Sequence, residues 1–469
     1  MKKIQNSKFK VLSSKIGQST LEILVAIGIL AISLSAVVIV IFGSQSISVD
    51  SQEANKAVNL ARELIENATA SSSENFGGLI SGSSTQDEFL KEIIVKDIDS
   101  DTKEITSRVS WQTETARIQK IELTTLVTNW QAYQDTGGDT GGGGLSGDWQ
   151  NPTTLGSVDL GPGESATGLD VVNKIVYLSA SASDKSKPDF FIVNATNGQS
   201  PYIVSQINTG EGLNAVDVAG NYAYVANDDD DAQLQVIDIS NPALPSLIKS
   251  FKLNGVSGSG AIGQSIFYSN SKIYIGTKAA SGPEFHIVDV SNPAVPLDIG
   301  SYETGANVND IFVSGNTAYI ATSADNSELT ILDVTNSSSI VKLGDFNAVA
   351  GDDGKSVYIT GTTAYLGRTG GGSLSIINVS NPALPVQLGT ANLGGAGVNG
   401  IIVRDYLAFL ATTDSNKEFQ IWNVSSSSAP VQWSSYNFSQ VGTGVDYEDN
   451  FVYVSVRSND AFRIITSGP

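Results

Sequence analysis

The chain has 469 residues, 48 acidic against 27 basic side chains and a formal charge of −21, which argues against nucleic-acid binding because that needs a basic patch. The length exceeds one ordinary core, so two or more units are expected. With no cysteine there are no disulfides, thiolate metal sites or Cys nucleophiles, and one histidine leaves imidazole catalysis little to work with. Charged residues make up only 16% and glycine 46 positions, a composition suited to many short strands joined by turns.

The first seventeen residues carry Lys2, Lys3, Lys8, Lys10 and Lys15 and no acid, and residues 23–42 run twenty positions without a charge. As a helix that run spans roughly 30 Å, the thickness of a bilayer core, with the basic flank cytoplasmic and the remainder outside. It is longer than a secretory-signal apolar region and no small-residue cleavage site follows it. Glu22 opens the run, and an unpaired carboxylate carried to the bilayer centre costs about 2–3 kcal/mol. Gly17 lies five residues earlier, in KIGQSTLEILVAIGILA.

This string resembles the class III leader of type IV prepilins and secretion pseudopilins. The resemblance implies a leader over 1–17, cut between Gly17 and Gln18 by a prepilin peptidase that also methylates the new amine of Gln18; Gln18 stands where the family usually has Phe. Residues 18–50 would then form the transmembrane and assembly helix. Glu22, at mature position five, would pair with the terminal ammonium of a neighbouring subunit. The alternative is a simple one-span anchor with Glu22 among the headgroups.

Over 51–133 a small α+β domain is predicted. Ala54, Ala57, Val58, Ala61, Leu64, Ile65 and Ala68 recur at helical spacing, and the segments 105–111 and 117–127 alternate as strands. A helix packed on a small antiparallel sheet is similar to the globular part of a minor pilin. Residues 134–148, QDTGGDTGGGGLSGD, cannot bury enough surface to order themselves and read as a tether.

From 149 to 469 the chain repeats. Tyr177, Tyr224, Tyr274, Tyr319, Tyr365, Phe409 and Tyr453 each sit in an apolar strand, 44 to 50 residues apart. After the first six follows a second strand ending in Asp or Asn (Asn194, Asp238, Asp289, Asp333, Asn378, Asn423), with Asn-Pro turns at 241–242, 292–293 and 381–382. Four strands per unit of this length is the period of a β-propeller blade. The seventh unit lacks its outer strand, and NPTTLGSVDL at 151–160 supplies one, so the predicted fold is mainly β: a seven-bladed propeller closed by its own N-terminal strand. The strings VIDISNPALP, IVDVSNPAVP and IINVSNPALP resemble LVIVD-repeat propellers of bacterial and archaeal cell-surface proteins.

Ten residues before each aromatic stands a polar residue: Thr167, Asn214, Gln264, Asn309, Lys355, Asn399 and Thr443. In a propeller this position lies beside the central channel, where seven polar groups can form a ring for a ligand, peptide or ion. Alternatively they end strand pairing and bond backbone or water. The acidic run 227–231 is a weak metal candidate through Asp228, Asp229, Asp230 and Asp231, with a solvated loop as the alternative, since other repeats place SADNSE or TDSNKE there. His286 has no evident carboxylate partner and reads as an ordinary strand residue. No phosphate loop, nucleophile elbow or paired-His metal motif is present.

The expectation is a non-catalytic minor pilin-like subunit that displays an extracellular propeller for adhesion or binding. It would start as a single-pass cytoplasmic-membrane precursor and end in a pilus or pseudopilus, or at the cell surface. The expected partners are the prepilin peptidase/methyltransferase, other pilin or pseudopilin subunits, the membrane before assembly and an extracellular ligand, without cofactor or nucleic acid. Alternatives are a pseudopilin of a type II secretion or DNA-uptake apparatus and a surface-anchored propeller hydrolase.

Overall fold

The structure, a computed structural model, describes residues 53–65, 67–69, 79–98, 102–113, 117–128, 144–182, 184–348, 352–369 and 373–468. Gly17, Gln18, Glu22 and the apolar run lie outside the described residues. Among the described residues no helix is long and apolar enough to cross a membrane. The chain divides into two compact units, 1–129 and 130–469.

In the first unit a helix over 53–65 faces a four-stranded antiparallel meander of β1 (Gly82–Gln86), β2 (Phe89–Asp97), β3 (Thr102–Thr113) and β4 (Arg117–Thr128). Strand alternation sends Ile105, Ser107, Val109 and Trp111 to the covered face. Ala57 and Ala61 oppose them, small enough to bring the helix backbone close, and the Ser107 hydroxyl donates to the Ala61 carbonyl at 2.8 Å. On the other face Arg108 meets Glu122 at 2.6 Å and Glu92 at 3.5 Å. The buried stripe differs in detail from the expected one: Leu60 is buried and Val58 only half-buried. The sequence reading also omitted β1 and β2; β1, GSSTQ, is wholly exposed and carries no apolar pattern to detect.

The second unit contains seven four-stranded antiparallel sheets, each in chain order: 164–207, 213–251, 263–302, 308–346, 354–392, 398–436, and a seventh built from 442–468 and β5 (Asp148–Asp159). In that last sheet β5 pairs antiparallel with Asp460–Gly468, so the strand that begins the unit completes the sheet that ends it. The inner strand of each sheet packs on the inner strand of the next, and the seventh on the first. Both faces of every sheet are therefore covered. This is why second and third strands such as Tyr222–Asn227 and Leu234–Asp238 are almost continuously buried.

The Asp or Asn that ends the third strand has a local task. Asp238 Oδ1 accepts the Ser240 N–H at 2.8 Å, Asp333 Oδ1 that of Thr335 at 2.9 Å, and Asn378 Oδ1 that of Ser380 at 2.9 Å. Only an acceptor is required, so the two residue types interchange. The turn that follows rests on the outer strand of the preceding sheet. A Cβ at Gly300 would lie 1.7 Å from the Ser337 carbonyl oxygen, and one at Gly344 would lie 2.3 Å from that of Pro382. Every outer strand bulges at an apolar residue, from Leu155, Val204 and Ile248 to Trp433, and in four of the seven sheets the next residue is a glycine, Gly156, Gly300, Gly344 or Gly389. The bulges twist the unpaired edge and bring the neighbouring turn onto it.

Candidate functional site: the central channel

The inner strands of all seven sheets enclose one cavity of about 300 Å³. Thr167, Asn214, Gln264, Asn309, Lys355, Asn399 and Thr443 all line it. In every sheet the register of the first two strands slips at this residue: Leu213 pairs with Asn227 and Ala215 with Ala226, leaving Asn214 without a cross-strand partner, and the other six sheets repeat the slip. Each ring residue is thus the extra residue of a β-bulge, a device that re-aims a side chain out of the pleat.

Five of the seven side chains reach the next sheet. Thr167 donates to the Leu213 carbonyl at 2.6 Å, Asn214 to Gly263 at 2.7 Å, Asn309 to Gly354 at 2.6 Å, Asn399 to Gly442 at 2.7 Å, and Thr443 to Ala166 at 3.0 Å. The last bond crosses from the seventh sheet to the first. In the third and fifth sheets the following residue takes the role, Ser265 donating to Val308 at 3.0 Å and Ser356 to Val398 at 2.9 Å. The result is a complete circuit of seven side-chain-to-backbone bonds, with Gln264 and Lys355 released from it.

A second circuit lies three residues further along three consecutive inner strands. Asp446 accepts the Val171 N–H at 2.8 Å, Asp170 that of Val218 at 2.6 Å, and Asp217 that of Tyr268 at 2.6 Å. At the equivalent positions the next four sheets carry Phe267, Phe312, Tyr358 and Ile402, and Phe312 packs its ring 5.2 Å from both Phe267 and Tyr358. Asp310 instead bonds the Val357 N–H at 2.8 Å. Loss of water raises these acids: Asp217 to about 7 and Asp310 to about 6, while Asp170, buried and beside Asp217, stands well above the ordinary value. The Val218 and Val171 N–H groups both hold Asp170 back toward its ordinary value against that loss of water. Lys355 is lowered, first by burial; Arg457 and Lys278 push it the same way while Asp310 opposes.

The acidic run is divided by the structure. Asp228 shares a hydrogen bond with Asn214, whereas Asp229, Asp230 and Asp231 have carboxylate oxygens within 4.8 Å of one another. Asp229 Oδ1 caps the Asp231 N–H at 2.8 Å, and Asp231 pairs with Lys252. In the matching hairpins, read as solvated, Glu328 and Glu418 are buried and pin the incoming loop by accepting the Ala348 and Phe438 N–H groups, both at 2.7 Å. His286 does have a carboxylate partner. Its Nδ1 is 2.9 Å from Asp298 Oδ2 and its Nε2 is 2.9 Å from the Pro283 carbonyl, inside the third sheet and away from the channel. Asp298 stands on the adjacent strand twelve residues away, a neighbour that only the strand register reveals.

Four-stranded sheets packed radially, inner strand against inner strand, define a β-propeller-like fold. Within it the chain carries LVIVD repeats, matched over residues 214–252, 274–304, 305–348 and 351–392. No curated protein sequence matches the chain. Similar solved structures include a chain of the mitotic checkpoint complex, 14% identical with TM-score 0.53 over 67% of this chain and 94% of that one. Another is a catalytically inactive virginiamycin B lyase from Staphylococcus aureus, 13% identical with TM-score 0.51 over 67% and 98%. A third is a putative 6-phosphogluconolactonase from Bacteroides uniformis, 13% identical with TM-score 0.50 over 59% and 86%. At these identities the likeness is one of fold.

Proposed function

We propose that the chain is a minor type IV pilin-like subunit whose C-terminal unit, a seven-bladed propeller, displays the central channel outside the cell as a binding site. The observation that carries the reading is the pairing of Gly17 and Glu22 at the mouth of a charge-free run of membrane-spanning length. An amphipathic helix on a small antiparallel sheet follows, the arrangement of a pilin's globular part. A unit of this size crowds a packed shaft, which favours a tip or sparse position. Binding is preferred to hydrolysis because the channel's aspartates already hold backbone N–H groups of the neighbouring sheet. The test is co-purification with other pilin subunits, wild type against Glu22→Ala, with mass spectrometry of the mature N-terminus. Cleavage after Gly17 and at least five-fold lower incorporation of the variant are expected. An uncleaved Met1, or equal incorporation, would overturn the assignment.

A further inference from the structure

The exposed apolar side chains of the second unit are confined to one end of the ring and its circumference. Twelve large ones stand exposed among its described residues. Eleven lie on outer strands or on the turns leading into them, and the twelfth, Tyr406, lies on a first turn at the same end. Five share one register position, the outer-strand residue paired with the end of the third strand: Tyr202, Leu297, Val341, Val386 and Val431, each 53 to 61% exposed. Leu244, Val295 and Leu384 stand beside this row on equivalent Asn-Pro turns, where the N–H of each bonds the Asn carbonyl three residues back at 2.8 to 2.9 Å. Each turn rests on the outer strand of the preceding sheet, at Gly300, Gly344 and Gly389, so the apolar positions join across sheets three to six.

These turns are also free of charge. The turns into the outer strands of sheets one to six, seven residues each from 195–201 to 424–430, hold no Asp, Glu, Lys or Arg in a chain that is 16% charged. The turns at the opposite end hold Asp184, Lys185, Asp229, Lys278, Asp325 and Lys417. The tether enters over the first turns of sheets six and seven, the Leu145 N–H donating to Asp405 Oδ2 at 2.7 Å and the Ser146 N–H to Asn450 Oδ1 at 3.0 Å. It meets the ring away from sheets two to five.

Neutrality decides which partner fits. Two chains of charge −21 repel on most approaches. A two-fold contact sets one patch against its own copy, so a patch of single sign opposes itself and a neutral apolar patch does not. A strongly charged partner, by contrast, gains no attraction from a neutral face. We propose that this face is where two copies of the chain meet, with Val295 and Leu384 near the middle of the contact. The turns of sheets two to five, with the outer-strand residues beside them, supply the roughly 20–30 residues a side of a standard interface. Their braced backbone leaves little ordering to be done on association. The inference concerns the rim alone and rests neither on the channel nor on Glu22.

The test is sedimentation velocity of the purified full-length chain in nonionic detergent over a concentration series. A concentration-dependent dimer is expected, and Glu22→Ala should keep it. Val295→Glu with Leu384→Glu should weaken dimerisation at least ten-fold. Ser415→Glu with Asn416→Glu adds the same charge at the opposite end and should stay within two-fold of wild type. All four positions are exposed, so the melting temperatures should match wild type. If the rim glutamates lower it, Val295→Ser with Leu384→Ser, expected at least three-fold weaker, carries the comparison. A monomer throughout, or a dimer that a folded rim variant leaves intact, would overturn the proposal. So would a dimer lost in Glu22→Ala (association through the N-terminal helix), or an equal loss in the Ser415 and Asn416 control (general charge repulsion).

Discussion

Replacing Gly300 by alanine tests how the outer seam between sheets is held. The new Cβ would stand 1.7 Å from the Ser337 carbonyl oxygen and 2.6 Å from its carbon, so the oxygen must retreat by about 1.3 Å to reach even 3.0 Å. That oxygen belongs to a braced turn. Asp333 caps Thr335 at 2.9 Å, Asn336 Oδ1 caps Ser338 at 3.2 Å, and the Ser339 N–H bonds the Asn336 carbonyl at 2.9 Å. Overpacking against such a backbone costs about 3 kcal/mol, of which the stiffer unfolded chain returns up to about 1. For a unit of more than three hundred residues, a net 2 kcal/mol lowers Tm by about 3 °C. Near-UV circular dichroism of the full-length chain during heating reads this directly. Gly144→Ala is the control, since its Cβ meets nothing nearer than a carboxylate oxygen at 3.4 Å. Coincident melting of Gly300→Ala, the control and wild type would refute the steric argument.

Two further outcomes follow from the channel. Asp310 and Asp217 stand at about 6 and about 7 in the folded chain against an ordinary 3.8, so the native state binds protons the unfolded chain has released. Stability from these groups is therefore full near pH 4 and declines as pH rises to about 7. The urea midpoint should be higher at pH 5 than at pH 7.5, with Asp310→Asn flattening the fall; a midpoint rising over this window contradicts the assignment. Thr443→Val removes the circuit bond between the last and first sheets and leaves the Ala166 carbonyl without its donor. A loss of about 1–2 kcal/mol is expected, and an unchanged urea midpoint would show that closure does not depend on this bond.

Much of this architecture is legible because it repeats. The aromatic at a spacing of 44 to 50 residues aligns the sheets, and the polar residue ten positions earlier is visible in all seven once they are aligned. What the alignment hides is the bulge, because an extra residue in a strand leaves no mark on side-chain type. It also hides the exchange of Gln264 for Ser265 and Lys355 for Ser356, since the hydrogen bond shifts by one residue while the frame does not. The carboxylates escaped for the opposite reason. Asp170, Asp217 and Asp446 share one frame position, but four sheets place apolar residues there, so no common type stands out. Asp298 became the partner of His286 only through pairing across strands, and β1 formed from polar residues that carry no periodic signal.

The pairing of β5 with Asp460–Gly468 also governs the order in which the molecule can be made. Roughly three hundred residues separate the partners, so the first strand of this unit to emerge waits for the last before it has a neighbour. Until then one edge is bare and the cavity wall has a gap, a hazard for any polypeptide made slowly from one end. A stop before Gly442 would remove the last inner strand, and with it Thr443 and Asp446, from the chamber wall, so the chamber closes only when the final sheet has been made.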